Sequence, residues 1–375
     1  MSATDKNKDF IQKLLAFVEI TINGGRPGDI QVHDDRFYGA VLSRGTLGLG
    51  EAYMDGWWDA QSLDDFFYRV IKADLESKIK LDFKTSFFIL KNLLFNQQRK
   101  KKAFEVGRKH YDIGNDLYTA MLGSTMAYSC AYWSEKTENL DQAQEAKLDL
   151  ICRKLNLQPG NKVLDIGGGW GSFAKYAAEK YGVHVDVITV SKEQVALGKK
   201  FCAGLDVNFI LQDYRKIDGL YDHIVSVGMI EHVGYKNYRT YMEVAAKHLK
   251  DEGLFLLHTI GGNKSVKSTE PWIEKYIFTN SMLPSIKQLA RAAEKIFVVE
   301  DLHNFGFYYD QTLMAWYRNF EKSWPTLKEK YGERFYRLWK YYLLSCAGSF
   351  RARKNQLWQI VLSKKGVPGG YISVR

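Results

Sequence analysis

The chain is 375 residues long, which predicts two domains and leaves each enough chain to bury a core. A composition of 46% hydrophobic and 26% charged residues is that of a folded globular protein, and it excludes a largely disordered chain. The formal net charge of +10 indicates either an anionic partner or a means of keeping the protein soluble.

Residues 1–95 are predicted to form a small α+β domain. The polar start of the chain lacks the apolar stretch of a signal peptide. A helix is predicted at residues 10–17, and short strands are predicted at residues 19–22, 29–32 and 38–42. The glycine- and aromatic-rich stretch 45–59 is interpreted as local packing in a turn or strand, because it does not lie in a phosphate-loop context.

Residues 63–95 are predicted to be mostly helical and to contact lipid or a partner. The longest apolar run, 87–95, is broken by Lys91 and is far shorter than the roughly 20 residues of a membrane span, so membrane contact is expected to be peripheral. Residues 96–108 are predicted to be a basic linker. The apolar candidates for insertion at a lipid surface are Phe66, Phe67, Phe87, Phe88, Leu93, Leu94 and Phe95. The alternative is that these phenylalanines form the core of the first domain.

Residues 109–375 are predicted to form a catalytic domain of the α/β class. Strands that alternate with helices are predicted at 163–166, 184–189, 207–211, 223–227, 254–260, 296–300 and 358–363. This count is typical of a Rossmann-like, mostly parallel seven-stranded sheet. Residues 109–150 and the helix-rich insert 271–350 are expected to form a lid, because ligands bind at the carboxyl ends of the strands in such sheets.

The stretch after the first strand of this domain predicts a glycine turn that binds a ligand. Gly167, Gly169 and Gly171 alternate, and a backbone without Cβ atoms allows a close approach. The dinucleotide fingerprint would need glycine where Ser172 stands. With Asp165 in front, the spacing instead resembles motif I of the S-adenosylmethionine (SAM)-dependent methyltransferases. We therefore expect SAM as co-substrate, against the alternative of a purely structural turn.

The cysteines do not predict a metal site. They are Cys130, Cys152, Cys202 and Cys346, and their spacing is not that of metal ligands. No disulfide framework is implied, so a reducing, cytoplasmic location is expected.

Polar residues are expected to meet at the carboxyl ends of two strands. Glu231 follows the fourth strand, and His258 and Ile260 end the fifth. Taken singly, the glutamate could be a structural ion-pair residue and the histidine a satisfied core residue. Together with Cys130 and Tyr309, they are predicted to form a polar pocket inside an aromatic shell.

Several longer motifs surround these residues. They are His110-Tyr-Asp-Ile-Gly-Asn-Asp-Leu-Tyr118, Tyr128-Ser-Cys-Ala-Tyr-Trp133, Val227-Gly-Met-Ile-Glu-His-Val-Gly234, Leu256-Leu-His-Thr-Ile-Gly261 and His303-Asn-Phe-Gly306. With them, the chain resembles the family of cyclopropane-fatty-acyl-phospholipid synthases and mycolic-acid cyclopropane synthases. The resemblance runs from about residue 45 to residue 358, and Gly-Leu-Gly-Glu-Ala-Tyr-Met-Asp-Gly-Trp-Trp at 48–58 favours the phospholipid enzymes.

The resemblance implies a reaction and a second small ligand. It implies transfer of a methylene group from SAM to the cis double bond of unsaturated acyl chains in membrane phospholipids, which forms a cyclopropane ring. It also implies a bicarbonate ion that deprotonates a carbocation. The implied ligands of that ion are backbone groups of Cys130 and Ile260 and the side chains of Glu231, His258 and Tyr309. A homodimer at the inner face of the cytoplasmic membrane is expected.

The resemblance also implies the SAM contacts. These are Gly167 and Gly169 at the methionine end, Tyr128 and Ser129 at the carboxylate, Thr189 and Gln194 at the ribose, and Gln212, Asp213 and Tyr214 around the adenine. It marks Cys346 as a weak catalytic candidate, for which a structural role is favoured because the chemistry needs no thiolate.

Three alternatives stay open. A related enzyme could stop at a methylated or hydroxylated acyl chain. The sequence pI near 9.1 is compatible with an RNA methyltransferase, but lysines interleaved with Phe and Leu suit a bilayer better than nucleic acid, so no nucleic-acid partner is expected. The third alternative is a lipid-binding protein without catalysis.

Overall fold

The computed structural model describes residues 3–74 and 114–375. The apolar run 87–95, the predicted linker 96–108 and the predicted domain start at residue 109 lie outside the described residues. Two compact units are found. The first contains the described part of Met1–Met121 with Thr269–Thr279 and Trp316–Lys354, and the second contains Leu122–Ser268, Asn280–Ala315 and Asn355–Arg375.

Helices and one small antiparallel sheet make up the first unit. Its elements are α1 (Ala3–Ala16), β1 (Ile30–Val32), α2 (Arg36–Met54), β2 (Trp58–Ala60), α3 (Leu63–Lys72), α4 (Asn115–Leu122), α9 (Pro271–Tyr276) and most of α11 (Tyr308–Arg351). Val32 pairs with Trp58 across the small sheet. The strand predicted at 29–32 is thus confirmed, whereas residues 19–22 contribute only the isolated bridge between Ile22 and Ile30.

The predicted strand at 38–42 is wrong, because these residues lie inside α2. The helix is bent at Gly45, whose φ of 57° and ψ of −132° are not helical. A Cβ on Gly48 would lie 2.0 Å from the carbonyl oxygen of Ala40, so the glycines serve a close backbone approach after the bend. A short apolar run does not by itself distinguish a strand from a buried helix.

Aromatic side chains form the core of the first unit. Trp58 is fully buried and its ring packs 5.2 Å from those of Tyr53 and Phe66. Phe67 is also buried, 5.1 Å from Tyr341 of α11. These two phenylalanines therefore belong to the core, as the alternative held, and they are not available for insertion into lipid.

Two segments that the sequence assigned to the catalytic domain are grouped with this core. The ring of Trp272 in α9 packs 4.4 Å from Tyr341, and Tyr341 in turn lies 5.5 Å from Tyr53. Segments 269–279 and 316–354 are grouped with the first unit, where these tilted ring pairs lie, whereas the predicted division treated 109–375 as one domain.

In the described part of the second unit, seven strands form one sheet, which confirms the predicted α/β fold. The order is β5-β4-β3-β6-β7-β9-β8, with only β9 antiparallel to its neighbours. The strands are β3 (Lys162–Ile166), β4 (His184–Thr189), β5 (Val207–Leu211), β6 (Tyr221–Val227), β7 (Leu249–Gly262), β8 (Val298–Asn304) and β9 (Asn355–Ser363).

Helices cover both faces of this sheet because successive strand residues point to opposite sides. Val163 packs in one core with α5 (Leu140–Lys154) and α6 (Ser172–Tyr181). Leu164 packs in the other core with α8 (Tyr238–His248) and α10 (Ile286–Ala293). The remaining helix of the sheet region, α7, spans Lys192–Phe201. With both faces filled, the strand ends are where ligands can be held.

Candidate active site

The glycine turn joins β3 to α6 and borders open space. Gly167, Gly169 and Gly171 have φ values of 81°, 58° and 87°. A Cβ on Gly171 would lie 2.6 Å from the ring of Phe209, so that glycine is required by packing. A Cβ on Gly169 would meet no atom within 4 Å. The turn therefore offers a backbone surface that fits the predicted approach of SAM.

The ends of β4 and β5 are joined beside this turn. Thr189 Oγ1 donates to Gln194 Oε1 (2.6 Å), and the amide of Gln212 donates to the carbonyl oxygen of Thr189 (3.0 Å). Three of the predicted SAM contacts are thus brought together at the carboxyl ends of neighbouring strands. The structure also explains this geometry locally, since Ser191 caps α7 by accepting from the amide of Gln194 (3.2 Å).

Asp213 and Tyr214 have structural partners. Asp213 Oδ1 accepts from the amide of Arg215 (2.9 Å) and from its Nε (2.8 Å), and this arginine lowers the pKa of Asp213 to about 2. The ring of Tyr214 is buried, 5.1 Å from that of Tyr241. Their predicted contact with adenine stays a prediction.

A buried polar cluster that the sequence reasoning missed lies behind Tyr128 and Ser129. Lys147 Nζ donates to Ser129 Oγ (3.0 Å), and Gln144 Nε2 donates to the carbonyl oxygen of Ser129 (2.9 Å). Asp165 is 1% exposed, and burial raises the pKa of its carboxyl to about 7 against the opposing effect of Lys147. The sequence signal was a glutamine and a lysine three residues apart on the otherwise apolar face of α5.

One threonine, which the sequence reasoning also missed, joins the chain neighbours of Cys130 and Tyr309. Thr312 Oγ1 accepts from the amide of Ala131 (3.1 Å) and donates to the carbonyl oxygen of Tyr308 (2.9 Å). Tyr309 is buried one helical turn before Thr312. Cys130 is fully buried, and burial raises the pKa of its thiol, so only its backbone is suited to bind an anion.

Glu231 is a buried carboxyl group with one engaged oxygen. Its Oε1 accepts from the amide of Ile260 (2.7 Å), while its buried Oε2 has no hydrogen-bond partner among the described residues. Burial raises the pKa of Glu231 to about 7, and the bond from Ile260 opposes the rise. The resemblance implied a backbone group of Ile260 as a ligand of the ion, and an anion bound by this amide would share it with Glu231.

His258 is a neutral donor in this arrangement. Gln359 Nε2 donates to His258 Nδ1 (3.3 Å), which leaves the ring proton on Nε2. That nitrogen is buried without a partner among the described residues. Burial lowers the pKa of His258 well below its usual value, with Lys147 and Lys154 acting in the same direction. Gln359, a polar residue in the apolar strand β9, is a third group that the sequence reasoning missed.

Aromatic rings surround the His258 side of the site. Phe305 packs edge-on against His258 at 5.9 Å and against Tyr132 at 5.3 Å, and Tyr132 lies 5.4 Å from Tyr308. Glu231 is hydrogen-bonded to Ile260, and His258 lies two residues before Ile260 on β7 with these rings beside it. Within residues 3–74 and 114–375, no three His, Cys, Asp or Glu side chains are grouped as a metal ion requires.

Cys346 lies in the part of α11 that belongs to the first unit. Burial, followed by the nearby charge of Glu270, raises the pKa of its thiol to about 12. The group is therefore protonated at neutral pH, which favours the structural role.

We expect Cys346→Ala to keep the turnover number within about twofold of wild type, because no thiolate is available to lose. Initial rates at saturating substrate measure this. The buried Cys152→Ala, in the core beneath the sheet, is the matched control for the loss of a thiol. A loss of more than about tenfold at unchanged melting temperature would contradict the structural role.

The seven-stranded sheet, the glycine turn and the polar strand ends define a SAM-dependent methyltransferase. Residues 98–360 match the family model described as mycolic acid cyclopropane synthetase. The chain therefore belongs to this family of cyclopropane synthases, and it is an enzyme.

Named relatives and solved structures agree with this assignment. The chain is 53% identical over 358 residues to the cyclopropane-fatty-acyl-phospholipid synthase of Escherichia coli, which covers 96% of this chain and 93% of that protein. It is 37% identical over 272 residues to a probable fatty acid methyltransferase of Pseudomonas putida, covering 69% of each. The structure of the mycolic acid cyclopropane synthase CmaA1 complexed with SAH and CTAB is 31% identical with a TM-score of 0.64, covering 70% of this chain and 98% of that one.

Proposed function

We propose that the protein transfers a methylene group from SAM to the cis double bond of unsaturated acyl chains in membrane phospholipids and forms a cyclopropane ring. The observation that carries the proposal is that Glu231 Oε2 and His258 Nε2, an acceptor and a donor at the ends of the neighbouring strands β6 and β7, are both buried without a partner in the described structure. Phospholipid is chosen as substrate because the similarity to the Escherichia coli enzyme extends over 96% of this chain.

The proposed reaction balances in atoms and electrons. The π electrons of the alkene attack the methyl carbon of SAM, and the carbon–sulfur bond breaks with its electron pair on sulfur, which gives S-adenosylhomocysteine. The carbocation that remains loses a proton from the new methyl group, and the released pair closes the ring. One proton must therefore be accepted close to the cation by a base that does not bond to it.

The residues of the site suit that requirement. Glu231 Oε2 can accept a hydrogen bond and His258 Nε2 can donate one, so together they can hold a small group that has both a proton and a basic oxygen. Bicarbonate has this chemistry and, when bound, would supply the base. Tyr309 and the backbone at Cys130 would complete its surroundings, since their chain neighbours Tyr308 and Ala131 are both hydrogen-bonded to Thr312. The rings of Phe305 and Tyr132 can stabilise a nearby cation by about 0.5–2 kcal/mol each.

A methyltransferase that stops before ring closure is the second candidate. The similarity to the Pseudomonas putida fatty acid methyltransferase favours it, since that chain shares 37% identity. The two candidates use the same SAM turn and differ only in the fate of the carbocation. The product decides between them.

The test is incubation of the enzyme with methyl-labelled SAM and vesicles of dioleoyl phosphatidylglycerol or dioleoyl phosphatidylcholine. We expect acyl chains that have gained one CH2 and no longer react with ozone. A chain that gains CH2 but still reacts with ozone indicates methylation, and one that also gains the mass of water indicates hydroxylation. Label in added RNA and none in lipid would overturn the proposal.

Peripheral contact with the inner face of the cytoplasmic membrane is part of the proposal. The double bond lies deep in a bilayer, so the enzyme must dock to reach it. In the described residues, no helix has both the length and the apolar character of a membrane span. With Phe66 and Phe67 in the core, the candidate docking residues are those of 87–102, which lie outside the described residues.

Charge reversal at Lys100, Lys101 and Lys102 is expected to weaken binding to anionic vesicles, most strongly at low salt, because each lysine contributes about 1 kcal/mol near such a surface. Co-sedimentation with vesicles measures the effect, and turnover on detergent-dispersed lipid should be retained. The control reverses the exposed Lys192, Lys199 and Lys200 of α7, which changes the net charge equally. Equal losses in both variants would indicate a net-charge effect and contradict a docking role of 100–102.

We also propose that the enzyme acts as a homodimer in the cytoplasm, as the resemblance implies. Sedimentation equilibrium over a range of concentrations tests the assembly. A monomer at every concentration would contradict it.

A further inference from the structure

Lys147 is a buried cation on α5. The side chain is 1% exposed, and a charged ammonium group is costly to bury unless partners stabilise it. Burial lowers the pKa of Lys147 to about 8, and Cys130 and Asp165 oppose this effect. The burial of Lys147 therefore requires neighbouring groups that stabilise its charge.

One partner of Lys147 is the loop that precedes Cys130. Its Nζ donates to Ser129 Oγ (3.0 Å). One turn earlier on the same helix face, Gln144 Nε2 donates to the carbonyl oxygens of Ala127 (3.3 Å) and Ser129 (2.9 Å). The polar face of α5 thus fixes both the backbone and the hydroxyl group of this loop.

The other partner is the start of the glycine turn. Asp165 stands two residues before Gly167, is 1% exposed, and has a buried Oδ1 without a partner among the described residues. Its Oδ2 lies 2.4 Å from the point where a Cβ on Gly168 would stand, so the carboxyl group lies directly against the turn. The opposite charges of Lys147 and Asp165 are both buried and close enough to act on each other.

We propose that Lys147 is a positioning residue for SAM, which acts through Ser129 by holding the 127–129 loop in register with the glycine turn. The inference rests on the proposed contact of Tyr128 and Ser129 with the methionine end of SAM. Lys147 therefore sets the affinity for SAM, and the proton transfer at Glu231 and His258 does not depend on it directly.

The experiment is a double-mutant cycle read by calorimetric titration of the full-length protein with SAM. The variants are Lys147→Met, Ser129→Ala and the double variant. Methionine keeps the length of the side chain and removes the charge. We expect each single variant to bind SAM about tenfold more weakly than wild type. Because Lys147 acts through Ser129, the affinity of the double variant should equal that of the weaker-binding single variant.

The matched control is Lys154→Met, two turns further along the same face of α5. Lys154 is also fully buried, but its Nζ contacts His303 Nδ1 (3.2 Å) and Asp301 Oδ2 (3.5 Å) instead of Ser129. It should leave SAM affinity within about twofold of wild type. Melting temperatures of all variants are measured as well, and both lysine variants are expected to melt at a lower temperature, because each removes the cation beside a buried carboxyl group, Asp165 or Asp301.

The outcomes are distinct. Unchanged SAM affinity in Lys147→Met, or additive losses that reach about 100-fold in the double variant, would overturn the inference. An equal loss of affinity in Lys154→Met would show a merely structural lysine and also overturn it. Unchanged affinity in Ser129→Ala would remove both this inference and the SAM contact assigned to Ser129. The proposed reaction itself is decided separately by the lipid product.

Discussion

Glu231→Gln is expected to lower the turnover number by about 10²- to 10³-fold. A glutamine oxygen can still accept from the Ile260 amide, so the fold of the strand ends should be kept. The position of Oε2 would then be occupied by an NH2 donor, facing a group that needs an acceptor. SAM affinity should change little, because the predicted SAM contacts at the glycine turn do not include this carboxyl group. Steady-state rates on vesicles and calorimetric titration with SAM measure the two effects.

Glu252→Gln is the matched control for this substitution. Glu252 is exposed on β7, the strand that carries His258. Its replacement by glutamine therefore makes the same carboxylate-to-amide substitution at an exposed position. Rates should also fall in bicarbonate-depleted buffer and return when the salt is restored. Two results would show that another base accepts the proton. One is a wild-type turnover number in Glu231→Gln, and the other is a wild-type rate that does not depend on bicarbonate concentration at any pH.

The pH dependence follows from the same carboxyl group. Burial raises the pKa of Glu231 to about 7, so the carboxyl group is protonated below that pH and becomes the required acceptor above it. The turnover number at saturating SAM should therefore rise with pH through about 7. Burial also raises the pKa of Asp165 to about 7, but this carboxyl group lies against the glycine turn, so its titration should appear in SAM affinity. A turnover number that falls with pH across this range would contradict the role of Glu231.

Gly169→Ala is expected to weaken SAM binding by tenfold or more, on the order of 1.4 kcal/mol. The new methyl group would enter open space at the turn, where no protein atom lies within 4 Å and the ligand is expected to approach. The φ of 58° adds a strain of about 1–2 kcal/mol, which lowers stability without blocking folding. Calorimetric titration with SAM and thermal unfolding measure the two effects.

Gly160→Ala separates strain from ligand contact. Gly160 precedes β3, has a φ of 83° and likewise has no atom within 4 Å of an added Cβ. The control should lose similar stability and keep wild-type SAM affinity. If both variants bind SAM with wild-type affinity, the glycine turn does not contact the co-substrate. If both lose affinity equally, the effect comes from strain alone.

The sequence by itself predicted the elements whose signal is local. Most strands of the second unit are buried apolar runs bounded by turn residues, so their positions could be predicted, whereas the edge strands β5 and β8 are partly exposed and β8 lies later than the predicted 296–300. The glycine turn was predictable because alternate glycines after a strand have few other uses. Glu231 and His258 were predictable because parallel strands present their carboxyl ends at one edge of the sheet.

Only the tertiary structure decided what depends on contacts between distant stretches of chain. Residues 38–42 form a helix because the bend at Gly45 and the packing of α2 outweigh a short strand-like pattern. The burial of Lys147 against Ser129, the link from Ala131 to Thr312, and the donor from Gln359 to His258 join residues 18, 181 and 101 positions apart. The sequence shows that such groups are present, but which polar atoms find partners, and which are left facing a ligand, is fixed only when the chain has folded.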